Sequence, residues 1–259
     1  MSEHYIDVNR IAWDQRTEAH YKSNFYDVPS FLSGKTSLRE IELAEMVPVE
    51  GRRLLHLQCH FGLDTLSWAR LGADCTGVDL STVSIEKAQQ LNRQAGLNAT
   101  FVCSDIYKYQ RGSEPPFDIV FSSYGTICWL PDLKRWADIV ATNLVVGGML
   151  YLAEFHPVHE LVSGYRYFNA EKPDIEKEGT YTENGSGITA TMATWSHPLS
   201  DVINALLDAG IAITRVNEHP FSPYNCFDDL EEREPGRFYL SHFGQDVPLV
   251  YTLTGRRID

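Results

Sequence analysis

The sequence predicts an α/β fold in which parallel strands alternate with helices that cover both faces of one twisted sheet. Three observations predict it. Short apolar segments of strand length recur between residues 52 and 155, segments with helical spacing separate most of them, and glycines end those helical segments. Parallel strands are joined by right-handed crossovers, so these units wind into a sheet whose ligands bind at the carboxyl ends of the strands.

Five strands and two crossover helices account for the central region. The predicted strands are Arg53–Cys59, Asp74–Asp79, Ala99–Asp105, Phe117–Ser123 and Gly148–Phe155. One crossover helix follows Ser81, which is a suitable N-cap, and ends at Gly96. A second helix begins near Pro131 and ends at Gly147-Gly148.

The flanking regions lack this alternation. Apolar residues at helical spacing predict a helical lead-in over residues 1–47 that covers the ligand crevice. Alternating stretches at Tyr165–Phe168 and Ile188–Trp195 predict an antiparallel hairpin inside a cap at 156–196. The rest, 197–259, contains a helix that ends at Gly210 and two strands separated by a long loop. Its strands are Ile211–Val216 and Val247–Leu253, and its loop is Pro220–Asp246. We expect a single domain over residues 1–259, with its core at 48–155.

Composition and charge exclude several classes of function. Hydrophobic residues make up 43% and charged residues 22% of the 259 residues, as in an ordinary globular protein. The formal charge of −13 repels polyanions, so we expect no nucleic-acid partner. No apolar run approaches the roughly 20 residues that cross a bilayer, and we expect a cytoplasmic protein without a membrane partner. Five scattered cysteines without a CxxC pair predict neither a disulfide framework nor a metal site.

Acidic residues end the second and third predicted strands, where a nucleoside is expected to bind. Asp79 presents two carboxylate oxygens that can accept hydrogen bonds from both hydroxyls of a ribose. Asp105 can accept from the exocyclic amine of adenine while Ile106 packs on the ring face. We also expect Leu80 and Ser122 to contact this ligand.

Five motifs in this order make the chain resemble the class I S-adenosylmethionine-dependent methyltransferases. They are LLHLQCHFG, GVDLS, CSDIY, FDIVFSSYG and the Gly-Gly pair before MLYLAEFHP. The chain is similar in particular to small-molecule methyltransferases that have a helical lead-in and a cap after the fifth strand. The resemblance implies a Rossmann-like seven-stranded sheet of order 3-2-1-4-5-7-6 with the last strand antiparallel. It also implies S-adenosylmethionine as the methyl donor.

The first turn departs from the pattern of that family, in which an acidic residue precedes Gly-x-Gly-x-Gly. Here His56 replaces the acid, Gln58 and His60 replace the first two glycines, and Gly62 alone remains. The replacements are expected to narrow the floor of the pocket or to change its backbone geometry. We expect the side chains of Gln58 and His60 to reach the amine or carboxylate of the donor, and Tyr21 to close over it.

The acceptor is expected where the fifth strand ends. Glu154, His156 and His159 lie close together in the sequence at that strand end. His156 is our candidate for a base or substrate orienter, because histidine exchanges protons near neutral pH. Trp129, Trp195 and His197 are expected to line the same pocket.

The expected activity is that of an enzyme which transfers a methyl group to an O, N or C nucleophile of a small molecule by in-line displacement. Two alternatives remain open: a donor-binding sensor or interaction protein without transferase activity, and an NAD-dependent oxidoreductase. The sequence does not specify the oligomeric state or the acceptor.

Overall fold

One seven-stranded mixed sheet organises the chain, whose computed structural model describes residues 2–46 and 48–258. The strands are β1 (Arg53–Leu57), β2 (Asp74–Asp79), β3 (Thr100–Cys103), β4 (Phe117–Ser123), β5 (Leu144–Phe155), β6 (Asp174–Glu178), β7 (Ala190–Thr194), β8 (Ile211–His219), β9 (Glu231–Glu234), β10 (Arg237–Tyr239), β11 (Ser241–His242), β12 (Gln245–Asp246) and β13 (Val250–Arg257). The sheet order is β3-β2-β1-β4-β5-β13-β8, and β13 runs antiparallel to both of its neighbours. The expected order 3-2-1-4-5-7-6 is therefore confirmed.

Helices pack on both faces of this sheet. They are α1 (Ser2–Lys22), α2 (Val28–Leu32), α3 (Glu40–Met46), α4 (Leu63–Arg70), α5 (Thr82–Ala95), α6 (Leu133–Asn143), α7 (Pro157–Val162) and α8 (Leu199–Asp208). Successive residues of a strand face opposite sides of a sheet. Thus Leu54 is buried in a cluster with Trp68 of α4, whereas Leu55 is buried in a cluster with Trp136 of α6.

Capping residues fix the start of both crossover helices. Ser81 Oγ accepts a hydrogen bond from the backbone N–H of Ser84 at 3.0 Å, and Gly96 ends α5 in the left-handed conformation, as predicted. Helix α6 begins after Asp132, whose Oδ1 accepts from the N–H of Arg135 at 3.1 Å. The predicted start at Pro131 was thus slightly early.

The cap contains the expected antiparallel hairpin, but one of its strands lies elsewhere. β6 pairs with β7, whereas Tyr165–Phe168 is an irregular segment. The N–H of Tyr165 donates to the carbonyl of Glu160 at 2.9 Å, so the chain is still completing the turn that ends α7. β6 escaped prediction because Asp174–Glu178 carries mainly charged side chains.

The C-terminal region also differs in detail from the prediction. β8 extends to His219, and β13 covers Val250–Arg257 rather than Val247–Leu253. The segment predicted as a long loop contains two short antiparallel hairpins, β9–β10 and β11–β12. Strands of two to four residues are too short for an alternation of apolar and polar residues to be recognised in the sequence.

The lead-in lies between the sheet and the cap. α1 packs against α5 on one side and β7 on the other. Asn9 joins the two regions because its side-chain Nδ2 donates to the carbonyl of Ala193 at 2.8 Å while its Oδ1 accepts from the N–H of that residue at 2.9 Å. Within the described ranges, no helix is long and apolar enough to span a membrane.

Candidate functional site

The turn after β1 keeps left-handed backbone at three alternate positions although two of them are not glycine. The φ angles are 57° at Gln58, 49° at His60 and 78° at Gly62. A Cβ added at Gly62 would lie 2.6 Å from Cε1 of Phe101, so glycine is required there by space as well as by φ. A left-handed residue with a side chain costs roughly 1–2 kcal/mol, which other contacts in the turn must offset.

Asp79 supplies such contacts from the end of β2. Its Oδ2 accepts from the N–H of His60 at 2.8 Å, and its Oδ1 accepts from the N–H of Ser81 at 2.8 Å. Burial raises the pKa of Asp79 to about 6, although hydrogen bonds from Ser81 and His60 act in the opposite direction. Asp79 therefore fixes the turn and presents an acidic group beside it.

A cavity of about 610 Å³ opens at the carboxyl ends of the central strands. Seven of the predicted donor-binding residues line it: Gln58, His60, Gly62, Asp79, Leu80, Asp105 and Ile106. Its size lies within the range of small-molecule pockets. Asp105 also accepts a hydrogen bond from the N–H of Tyr107 at 3.0 Å, so it caps a short 3-10 helix while lining the cavity.

Two polar groups in this cavity wall lack partners within the described chain. Gln58 Nε2 donates to the carbonyl of Thr126 at 2.8 Å, whereas Gln58 Oε1 is buried without a hydrogen bond. Nε of Arg39 is likewise buried and unpartnered, while the guanidinium carbon lies 4.3 Å from the ring centroid of Tyr224. The cavity thus offers an acceptor for an ammonium group and a cation for a carboxylate.

Two of the expected donor contacts lie outside the cavity wall. Tyr21 packs its ring against Phe61, and its hydroxyl reaches Gln94 at 3.4 Å. Ser122 is fully buried, and its Oγ lies 3.0 Å from Oγ1 of Thr126. We therefore leave both out of the proposed donor site, because neither residue lines the cavity.

The lead-in reaches the cavity through other aromatic residues. Trp13 and Tyr26 line it, and the hydroxyl of Tyr26 lies 2.6 Å from that of Tyr181 in the cap. Aromatic residues at helical spacing signalled a packed lead-in, but only the tertiary arrangement distinguishes those that face the cavity.

A chain of hydrogen bonds links His60 to the lead-in and the cap. His60 Nε2 lies 2.9 Å from His20 Nδ1, and His60 Nδ1 lies 3.0 Å from Ser84 Oγ. His20 Nε2 in turn contacts Oγ1 of Thr180 in the cap. Burial lowers the pKa of His20 to about 3 and that of His60 well below its ordinary value, so both rings are neutral. Both ring nitrogens of His60 are engaged, and its predicted contact with the donor tail loses support.

His56 occupies the position of the missing acid and is a core residue. Its Nδ1 lies 2.8 Å from Oγ1 of Thr65, and burial lowers its pKa to about 3. A neutral, hydrogen-bonded imidazole is the form that an apolar strand tolerates.

A second cavity, of about 1180 Å³, adjoins the first beneath the cap. Trp129, Trp195 and His197 line it as expected, and Trp129 also lines the first cavity. His197 Nε2 donates to the carbonyl of Leu130 at 2.8 Å, so this ring is held in place rather than free. The residues common to both walls include Gly125, Phe155 and Glu160.

Glu154 shapes the loop between the two cavities. Its carboxylate accepts from the backbone N–H groups of Gly125, Thr126 at 2.7 Å, Ile127 at 3.0 Å and Phe155 at 2.7 Å. The side chain is 3% exposed and burial raises its pKa, so this acid is a structural anchor for the loop.

His156 is not among the residues that line either cavity, although its neighbours Phe155 and Pro157 line the larger one. Its Nε2 lies 2.8 Å from Oε1 of Glu218, and its Nδ1 accepts from the N–H of Val158 at 3.2 Å as the N-cap of α7. We therefore withdraw His156 as the catalytic candidate. His159 lies one turn further on and does line the second cavity.

The described residues contain no cluster of His, Cys, Asp or Glu suited to a metal ion.

Comparisons with known proteins agree with this architecture. A methyltransferase domain model matches residues 54–148. The ubiquinone biosynthesis O-methyltransferase of Coxiella burnetii is 28% identical over 139 residues, which cover 54% of this chain and 56% of that protein. The chain therefore spans about half the length of the first curated relatives that it matches.

Solved structures share the fold across most of the chain. An S-adenosylmethionine-dependent methyltransferase from Methanosarcina mazei has a TM-score of 0.61 and 18% identity, and covers 85% of this chain and 98% of its own. Another from Clostridium acetobutylicum has a TM-score of 0.59 and 15% identity, and covers 96% and 98%. At sequence identities this low, the similarity to these two structures shows a shared fold alone.

Proposed function

We propose that this chain is a class I S-adenosylmethionine-dependent methyltransferase, which binds S-adenosylmethionine and transfers its methyl group to a small molecule. The observation that carries the proposal is the pair of adjoining cavities at the carboxyl ends of the strands. They share Gly125, Trp129 and Phe155 in their walls, so a donor in one and an acceptor in the other would meet.

The residues of the smaller cavity fit each part of the donor. Asp79 would accept from the ribose hydroxyls, while Asp105 and Ile106 would hold the adenine. The unpartnered Oε1 of Gln58 suits the ammonium of the amino-acid tail, and the guanidinium of Arg39 suits its carboxylate.

The bound donor would supply a methyl group on a positively charged sulfur, which is already strongly electrophilic. The protein's task is then to place a nucleophile in line with that group and to keep water away. Such positioning can supply about 7–11 kcal/mol. Tyr26 and Tyr181 close the lead-in against the cap, while Trp129 and Trp195 form walls for the acceptor.

Calorimetry tests the donor part of this proposal. We expect S-adenosylmethionine and S-adenosylhomocysteine to bind and NAD not to bind. Binding of NAD without binding of either sulfur compound would overturn the proposal in favour of an oxidoreductase. If the donor binds but no radiolabelled methyl group reaches any member of an amine, phenol and carboxylate panel, the sensor alternative is favoured.

A further inference from the structure

The larger cavity carries a strong excess of negative charge. Eight carboxylate and three guanidinium side chains line it. Two of the guanidiniums already have carboxylate partners, since Arg166 pairs with Asp174 and Arg233 pairs with Glu231. Arg16 donates to backbone carbonyls of the cap, and its charge also acts on Glu178. Three guanidiniums do not balance eight carboxylates, so the cavity keeps a net negative charge.

Glu160 lies where this charge meets the proposed donor site. Among the described residues, it is the acidic residue that lines both cavities. Burial raises its pKa, and the nearby carboxylates of Glu176, Glu154 and Asp174 raise it further. Its side chain is 46% exposed, so a cation in the cavity can reach it and would relieve this repulsion.

His159 adds an independent, unsatisfied group at the same place. It is 8% exposed, and its Nδ1 is buried without a hydrogen-bond partner in the described chain. That nitrogen lies 4.0 Å from Oε1 of Glu160. Buried polar atoms are rarely left unpaired in folded proteins, so this nitrogen is a candidate to contact a substrate in the cavity.

The environment of His159 keeps its ring neutral and fixed. Burial lowers the pKa of His159. The ring stacks on Phe227 with centroids 3.8 Å apart, and Nε2 lies 3.4 Å from Oγ of Ser163. If Nε2–H donates to that hydroxyl, Nδ1 carries a free lone pair that can accept a proton.

We propose that the acceptor is an amine that arrives protonated, pairs with Glu160 and gives one proton to Nδ1 of His159. This inference rests on the proposed function. The freed nitrogen lone pair forms the N–C bond to the methyl carbon while the C–S bond of the donor breaks and its electron pair stays on sulfur. The products are a methylated ammonium, the thioether S-adenosylhomocysteine and a protonated His159, which then releases its proton to solvent.

Binding of three probes of similar size tests the charge preference. Benzylamine, benzyl alcohol and benzoate are titrated into protein saturated with S-adenosylhomocysteine. We expect benzylamine to bind at least tenfold more tightly than benzoate. Glu160→Gln should abolish that preference. Glu171→Gln, the same change at an exposed position of the cap outside both cavities, should preserve it.

Methyl transfer tests the role of His159. Radiolabelled methyl groups are expected to reach amines rather than phenols in a mixed panel. His159→Gln should lower kcat at least tenfold, while the Kd of S-adenosylhomocysteine stays within twofold and shows that the variant folds.

Three results would overturn the amine proposal while the donor still binds. They are tighter binding of benzoate, transfer to phenols in preference to amines, and unchanged kcat in His159→Gln. Loss of donor binding by the unmodified protein would instead overturn the proposed function itself, so the two failures are distinguishable.

Discussion

Oδ2 of Asp79 lies 2.8 Å from the backbone nitrogen of His60, so the acid that ends β2 holds the left-handed turn that follows β1. A single carboxylate thus shapes the floor of the donor cavity and faces the expected ribose. Because Asp79 has both roles, its removal should weaken donor binding and also destabilise the fold.

Donor affinity should fall as the pH drops through about 6. The pKa of Asp79 is raised to about 6, so its charged form, which accepts hydrogen bonds at both oxygens, dominates above that value. Protonation of Asp79 removes an oxygen that would accept a hydrogen bond from the ribose hydroxyls. Calorimetry with S-adenosylhomocysteine from pH 5 to 8 measures the dependence.

Asp79→Asn should remove this pH dependence and weaken binding by about tenfold, since a hydrogen bond to a charged group contributes roughly 1.5 kcal/mol or more. Asp138→Asn on the exposed side of α6 is the matched control. A pH dependence that persists in Asp79→Asn would assign it to another group.

Gln58→Met should impair recognition of the amino-acid tail alone. The change keeps the length of the side chain but removes Oε1, which we propose accepts from the ammonium of the donor, together with the Nε2–H that donates to the carbonyl of Thr126. The Kd of S-adenosylhomocysteine should rise about tenfold, and that of 5′-methylthioadenosine, which has no amino-acid tail, should stay within twofold. Equal weakening of both ligands would indicate a collapsed turn instead.

His20 and His60 should be energetically coupled. Their hydrogen bond joins the lead-in to the turn after β1. Removal of either ring leaves a buried imidazole nitrogen of the other unpaired, so the costs of His20→Phe and His60→Asn should not add. We expect a coupling energy of about 1 kcal/mol in a double-mutant cycle measured by urea unfolding. Additive costs would show that the lead-in is held by other contacts.

The contribution of Glu42 to fold stability should decrease as the pH rises from about 4.5 to about 7. Burial and the neighbouring Asp64 together raise the pKa of Glu42 from 4.5 to about 7. The folded chain therefore holds this proton more tightly than the unfolded chain does. The stability that Glu42 contributes falls across that interval by up to about 3 kcal/mol and then levels off. The buried, neutral rings of His20 and His56 act in the opposite direction as the pH rises towards 6.5, so the effect of Glu42 is measured as a difference between variants.

The difference in stability between Glu42→Gln and the unmodified protein should therefore grow in favour of the variant as the pH rises from about 4.5 to about 7. Glu86→Gln, at an exposed position of α5, should leave the profile unchanged. Urea midpoints at several pH values provide the measurement. A stability difference that does not change with pH would show that Glu42 does not titrate in this interval.

The strand order was implied by the resemblance that the five motifs carry. The sequence by itself determined the α/β fold and the positions of Asp79 and Asp105. These features depend on local signals, because apolar periodicity, caps and strand-end acids are each contained in a few neighbouring residues. Comparison with the family pattern showed that Gln58 and His60 stand where glycines are usual. It did not predict that the backbone of these two residues would stay left-handed.

Only the tertiary structure decided which side chains share the cavities. Tyr21 and Trp13 lie on the same helix, yet only Trp13 lines the donor cavity, because the packing of α1 between α5 and β7 sets which of its sides faces inward. His156 and His159 are three residues apart, and the N-cap role of His156 directs its ring towards Glu218 while His159 lines the cavity beside Glu160. Such placements depend on contacts between residues distant in sequence, which periodicity and motif spacing do not encode.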